Sequence, residues 1–93
     1  MLMLEISIDQ ELKVGYVKSS ASTFSKTITI KNEINIDLDV DEKVIGVEFL
    51  GFSCLNQSEE SLSEEAPSLK QEYVRAVLEA QEHLLIQLKS HAD

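Results

Sequence analysis

The stretch Ile34–Leu50, INIDLDVDEKVIGVEFL, admits two incompatible readings. Counted from Asp37, carboxylates stand at positions 1, 3, 5 and 12, namely Asp37, Asp39, Asp41 and Glu48, which is the acidic skeleton of an EF-hand calcium loop. That loop needs glycine at its sixth position and a helix on each side. Here the sixth position is Glu42, and both flanks alternate apolar with polar residues, the period of a strand. A hairpin turning at Asp41-Glu42 satisfies every apolar position at once. It sets Leu38 opposite Ile45, Ile36 opposite Val47 and Ile34 opposite Phe49, and on the other face Asp37 meets Gly46 and Asn35 meets Glu48. The hairpin is the expected structure, and Asp37, Asp39, Asp41 and Glu48 remain only as candidates for a weak divalent-metal site.

The same period extends toward the N-terminus. Leu2, Leu4, Ile6 and Ile8 alternate with Met3, Glu5 and Ser7, and Leu12, Val14 and Tyr16 follow. A three-residue turn at Asp9-Gln10-Glu11 would pair Ile8 with Leu12, Ile6 with Val14 and Leu4 with Tyr16, all on one apolar face. Phe24, Ile28 and Ile30 form a third strand face. A turn at Lys31-Asn32-Glu33 pairs Ile30 with Ile34 and Ile28 with Ile36. The single glycines sit inside strand patterns, and Gly46 is expected to mark a close backbone approach or a bulge.

Residues 54–67 are polar and acidic and hold the only proline, which reads as a linker with room for a helical turn. Residues 68–91 read as one amphipathic helix, with Ser68 as N-cap and Gln71 completing a capping box. Leu69, Tyr73, Val77, Ala80, Leu84 and Leu88 form its stripe, widened by Val74, Leu78 and Leu85; Gln71, Glu72, Arg75, Glu79, Glu82 and Lys89 mark the wet side. The whole is one small α+β domain: an antiparallel β-meander of about five strands over residues 1–53, then one long C-terminal helix. The apolar arc is wider than one contact uses. A homodimer is therefore expected, with Val74, Leu78, Leu84, Leu85 and Leu88 at its interface.

Charge and composition narrow the function. The chain has 93 residues and a net charge of −9, and its eight basic residues are scattered, so binding to nucleic acid is not expected. An acidic surface steers basic partners instead. Cys54 is the lone cysteine, which rules out an intramolecular disulfide and reads as a small buried hydrophobe. His83 and His91 read as surface residues, and nothing brings Cys54 and His83 together as a nucleophile and base. Tyr16 reads as a core tyrosine with its hydroxyl at the sheet edge. The opening MLMLEISID lacks a basic leader region and no apolar run is long enough to span a bilayer, so a cytoplasmic protein without membrane contact is expected. No enzyme and no cofactor is expected.

SIDQELKVGYVK (Ser7–Lys18) and INIDLDVDEKVIGVEFLGFS (Ile34–Ser53) together resemble the bacterial family catalogued as domain of unknown function 2283. Asp9 stands at the first turn, Tyr16-Val17 in the second strand, and Asp37, Asp39 and Asp41 lead to a tip followed by Gly46-Val47-Glu48 and Ser53. Three positions depart from the pattern: Lys13 where an aspartate is frequent, Gly15 where a leucine stands, and Glu42 in place of a turn glycine. The resemblance implies a compact β-rich domain with no established activity, in stand-alone short proteins, some encoded beside small toxin-like proteins. The expected function is thus an acidic protein–protein interaction module of an antitoxin-like kind that binds a basic partner. Self-association of unknown role is the alternative, and a weak metal site at the acidic hairpin a third.

Overall fold

The computed structural model describes residues 4–90. Five strands, β1 (Glu5–Asp9), β2 (Val14–Lys18), β3 (Lys26–Ile30), β4 (Ile34–Leu38) and β5 (Val44–Phe49), form one antiparallel sheet. A 3-10 turn at Phe52–Cys54 leads to α1 (Glu59–Glu65) and then α2 (Gln71–Ser90). The strand order is β1-β2-β5-β4-β3. β3, β4 and β5 are a sequential meander, and the β1–β2 hairpin adds to the free side of β5.

The register explains the core. One row across all five strands reads Ile6, Val17, Val47, Ile36, Ile28; the next reads Ile8, Gly15, Phe49, Ile34, Ile30. Both rows face α1 and α2. In the second row Gly15 leaves a gap, and Leu84 of α2 fills it: a Cβ on Gly15 would lie 2.9 Å from a Leu84 methyl. Leu84 and Val77 of α2 and Leu62 of α1 are fully buried. Each such side chain contributes on the order of 1.5–3 kcal/mol relative to exposure. The helix therefore packs on its own sheet.

The β3–β4 pairing follows the expected register, with Lys31 and Asn32 both left-handed in the turn. The β4–β5 pairing follows it through four pairs and then changes. Leu38 pairs with Val44 instead of Ile45, because a bulge between Asp37 and Leu38 shifts the register there. The β1–β2 register differs throughout. Ile6 pairs with Val17 and Ile8 with Gly15, three residues away from the expected pairing of Ile6 with Val14 and Ile8 with Leu12. The turn is longer than three residues: it spans Gln10–Lys13, and Lys13 takes a left-handed φ of 59°. Asp9 shapes it by accepting the N–H groups of Glu11 and Leu12 at 3.0 and 2.9 Å. Leu12 thus lies in the turn, 71% exposed, and Tyr16 moves to the opposite face of the sheet, out of the core. Phe24 lies before β3 and is exposed. Leu4 is exposed as well; Leu2, Met3 and His91 lie outside the described residues.

The acidic segment after the sheet holds a helix of its own. Ser58 caps α1, accepting from Ser61 N–H while the Ser61 side chain accepts from Ser58 N–H. α2 begins at Gln71, and Ser68 sits in a turn before it, so the expected capping box at Ser68 does not form. Leu69 N–H instead bonds to Ala66 O, and the first helical bond runs from Val74 N–H to Lys70 O. Pro67 disfavours helical geometry for the residue before it, which separates the two helices.

Candidate functional site

With the apolar face of the sheet covered, the other face lies open, and its side chains form two rows. One reads Glu5, Lys18, Gly46, Asp37, Thr27; the other reads Ser7, Tyr16, Glu48, Asn35, Thr29. Tyr16 stands in the second row and leans diagonally across Gly46 into the first. Its hydroxyl donates to Asp37 Oδ2 at 3.0 Å. A Cβ built on Gly46 would run into the hydroxyl oxygen and Cζ of that ring, so only glycine leaves the ring room to lie flat. The expected close approach at Gly46 is thus a contact with Tyr16. Asp37 also accepts from Thr27 Oγ1 at 2.8 Å. Asn35 joins the other row, accepting from Thr29 Oγ1 at 2.8 Å and donating to Glu48 Oε1 at 3.0 Å.

These bonds make two clusters side by side, one joining β2, β4 and β3 through Tyr16, Asp37 and Thr27, the other joining β3, β4 and β5 through Thr29, Asn35 and Glu48. Burial raises the Tyr16 pKa from 10.0 to about 12, helped by its hydrogen bond to Asp37 and by the charges of Asp37 and Glu48. The phenol is therefore a hydrogen-bond donor at neutral pH. A pH dependence follows with a definite sign. Between pH 10.0 and about 12 the unfolded chain loses the Tyr16 proton first, so the stability this group contributes below pH 10.0 is lost as pH rises through about 12. Urea midpoints measured across that range should fall more steeply for the wild type than for Tyr16→Phe. Equal slopes would mean that the hydroxyl is neither buried on the sheet face nor bonded to Asp37.

The four acids of the hairpin do not converge. Asp37 and Glu48 lie on the open face beside Tyr16, on β4 and β5, half-buried. Asp39 sits at the tip with one oxygen already accepting the N–H groups of Asp41 and Lys43, at 2.9 and 3.0 Å. Asp41 is exposed in the turn. Among the described residues no three His, Cys, Asp or Glu side chains are gathered as a metal site. Calorimetric titration with Ca²⁺ or Mg²⁺ is expected to show no affinity tighter than about 10⁻⁴ M. Micromolar binding abolished by Asp39→Asn would contradict the hairpin geometry.

Glu42 holds the tip against the helix layer. Its φ of 62° is the left-handed geometry that favours glycine. Its carbonyl accepts the Tyr73 hydroxyl at 2.7 Å, and its carboxylate pairs with Lys26 at 2.9 Å and Lys70 at 3.5 Å. These cations hold the Glu42 pKa below its usual value. The tip is thus docked on the start of α2 and on β3.

Cys54 is buried and its thiol contacts the carbonyl oxygens of Gly51 and Glu33, at 2.8 and 3.7 Å. Burial pushes its pKa up, which keeps it a thiol. His83 is half-buried beside an apolar gap between α2 and the sheet. Of the residues expected at an interface, Val74 and Leu84 are buried in the chain's own core, Leu78 and Leu88 pack on its margin, and Leu85 is 44% exposed.

A helix-backed antiparallel sheet that presents an ordered polar face on its other side defines a small α+β domain. The chain belongs to the family described as protein of unknown function (DUF2283), whose model matches residues 5–53, more than half of the chain. No curated protein and no solved structure matches it. The matched residues hold the whole sheet and both clusters, and both helices lie beyond them. The departures from the family pattern have structural consequences. Gly15 admits Leu84, and Lys13 and Glu42 take left-handed turn positions. No helix among the described residues is long and apolar enough to cross a membrane.

Proposed function

We propose that this protein is an acidic protein–protein interaction module, and that the open sheet face receives a basic segment of a partner protein in the manner of an antitoxin. The observation that carries this reading is the pair of hydrogen-bonded clusters on the open face, Thr27–Asp37–Tyr16 and Thr29–Asn35–Glu48. They present two carboxylates in fixed positions on that face, with their neighbours already hydrogen-bonded. Preorganised acids lose little conformational freedom when they meet lysine or arginine. The net charge of −9 steers such a partner from a distance and opposes nucleic acid. Catalysis fits these residues poorly: the phenol stays protonated, the thiol is buried, and the acids stand on an open face.

Co-purification from the native cell tests this reading. A basic protein retained in stoichiometric amount, released by salt and lost on Asp37→Asn with Glu48→Gln, is the expected result. A partner held equally well by that double variant would place the contact elsewhere, and recovery of the protein alone would remove the partner.

A further inference from the structure

The sheet ends in two edge strands, β1 and β3, and the edges differ. Ser19 N–H bonds to Ile45 O at 2.9 Å, so along β2 the odd-numbered residues bond toward β5 and the even-numbered ones toward β1. Through the β1–β2 register, Glu5, Ser7 and Asp9 bond to β2, and Ile6 and Ile8 turn their N–H and C=O groups outward. Among the described residues no backbone group bonds to that outer side. The side chains are uncovered as well. Ile6 and Ile8 are only half-buried, whereas Val17 and Val47 in the row of Ile6, and Phe49 and Ile34 in the row of Ile8, are buried. Leu4, next along the edge, is 46% exposed and lines an apolar cavity between α2 and the sheet. β1 carries no proline, no bulge and no inward-pointing charge, the usual guards of an edge. β3 has such a guard: Lys26 shares the inner face with Ile28 and Ile30 and pairs with Glu42 at 2.9 Å.

We propose that β1 receives the partner's basic segment as an added antiparallel strand, in which lysine or arginine alternates with apolar residues. This rests on the open face as the receiving surface and names how the segment enters it. The alternation follows from the pleat. Residues opposite Ile6 and Ile8 exchange main-chain bonds with them and point into the apolar layer. Residues opposite Glu5, Ser7 and Asp9 point to the open face. Glu5 and Asp9 are exposed acids. Ser7 is small, and a hollow on the open face runs from Ser7 and Asp9 past Tyr16 to Glu48. A long basic side chain rooted opposite Ser7 lies along this hollow with its charge toward Glu48. A second copy of the chain fits poorly: β1 paired with itself so that Ile6 meets Ile8 sets Glu5 against Asp9 at both ends.

The test uses a blocked peptide in which lysine alternates with valine, titrated into the labelled full chain at low salt. Two controls go with it: the same residues with the lysines grouped, and the alternating peptide N-methylated at its valines. The alternating peptide is expected to slow amide exchange at Ile6 and Ile8 about tenfold or more, and neither control to do so. Glu5→Lys, an exposed change, should weaken its binding about tenfold or more. Unchanged exchange at Ile6 and Ile8 with the peptide in saturating amount, equal protection by either control, or equal affinity for Glu5→Lys would overturn the inference. Shifts at Asp37 and Glu48 without protection of Ile6 and Ile8 would overturn the strand addition and leave the open face as the receiving surface. Neither shifts nor protection would remove both.

Discussion

Gly46→Ala is expected to lower the unfolding free energy by about 1–3 kcal/mol, the range for overpacking a close contact. The added methyl group would occupy the space of the Tyr16 ring, which lies flat over Gly46 to reach Asp37. Either the ring turns out and the Asp37 bond is lost, or the β2–β5 pair opens. A double-mutant cycle separates this clash from any backbone effect. Tyr16→Ala removes the ring, so Gly46→Ala in that background should cost a few tenths of a kcal/mol at most, and the two changes should be strongly non-additive. Additive losses would mean that the ring does not lie over Gly46.

The other large effect belongs to Leu84. It is 0% exposed and fills the gap that Gly15 leaves in the inner row of the sheet. Leu84→Ala should therefore cost about 2–5 kcal/mol, from lost burial and the cavity together. A domain of this size holds only about 5–15 kcal/mol of net stability, so the variant should unfold at a much lower urea concentration. A loss under about 1 kcal/mol would show that α2 does not rest on β2.

The sequence makes the meander plain because Ile28, Ile30, Ile34, Ile36, Val47 and Phe49 leave only one register that buries them all. The bulge at Asp37/Leu38 is local, and Val44 and Ile45 are equally apolar, so alternation does not announce it. The first hairpin is harder. Val-Gly-Tyr-Val presents an apolar residue to either face: Val14 and Tyr16 to one, Val17 and the bare Gly15 to the other. An amphipathic tyrosine is stable in both settings. Burial of Val17 and the Gly15–Leu84 contact settle the choice, and the latter joins residues far apart in the chain. Asp9 is the local signal for the longer turn, since its side chain caps the two N–H groups that open it. Once Tyr16 is placed on the open face, Asp37, Gly46 and Glu48 become its neighbours, so the site was hidden by a single register. The β2–β5 pairing follows a long polar connection and leaves no local trace. The helix α1 is short, with serine where a glutamate or glutamine usually completes the capping box.

The open face as the receiving surface is tested most directly by amide chemical shifts. The labelled protein is titrated with a short lysine- and arginine-rich peptide at low salt, and the titration is repeated at high salt. The acids of the two clusters, Asp37 and Glu48, compete for such a peptide with the exposed acids of α1, Glu59, Glu60 and Glu64. The expected shifts centre on Tyr16, Asn35, Asp37 and Glu48 and fade as salt is added. Shifts centred on α1, or spread evenly over the acidic residues, would contradict the assignment of the open face.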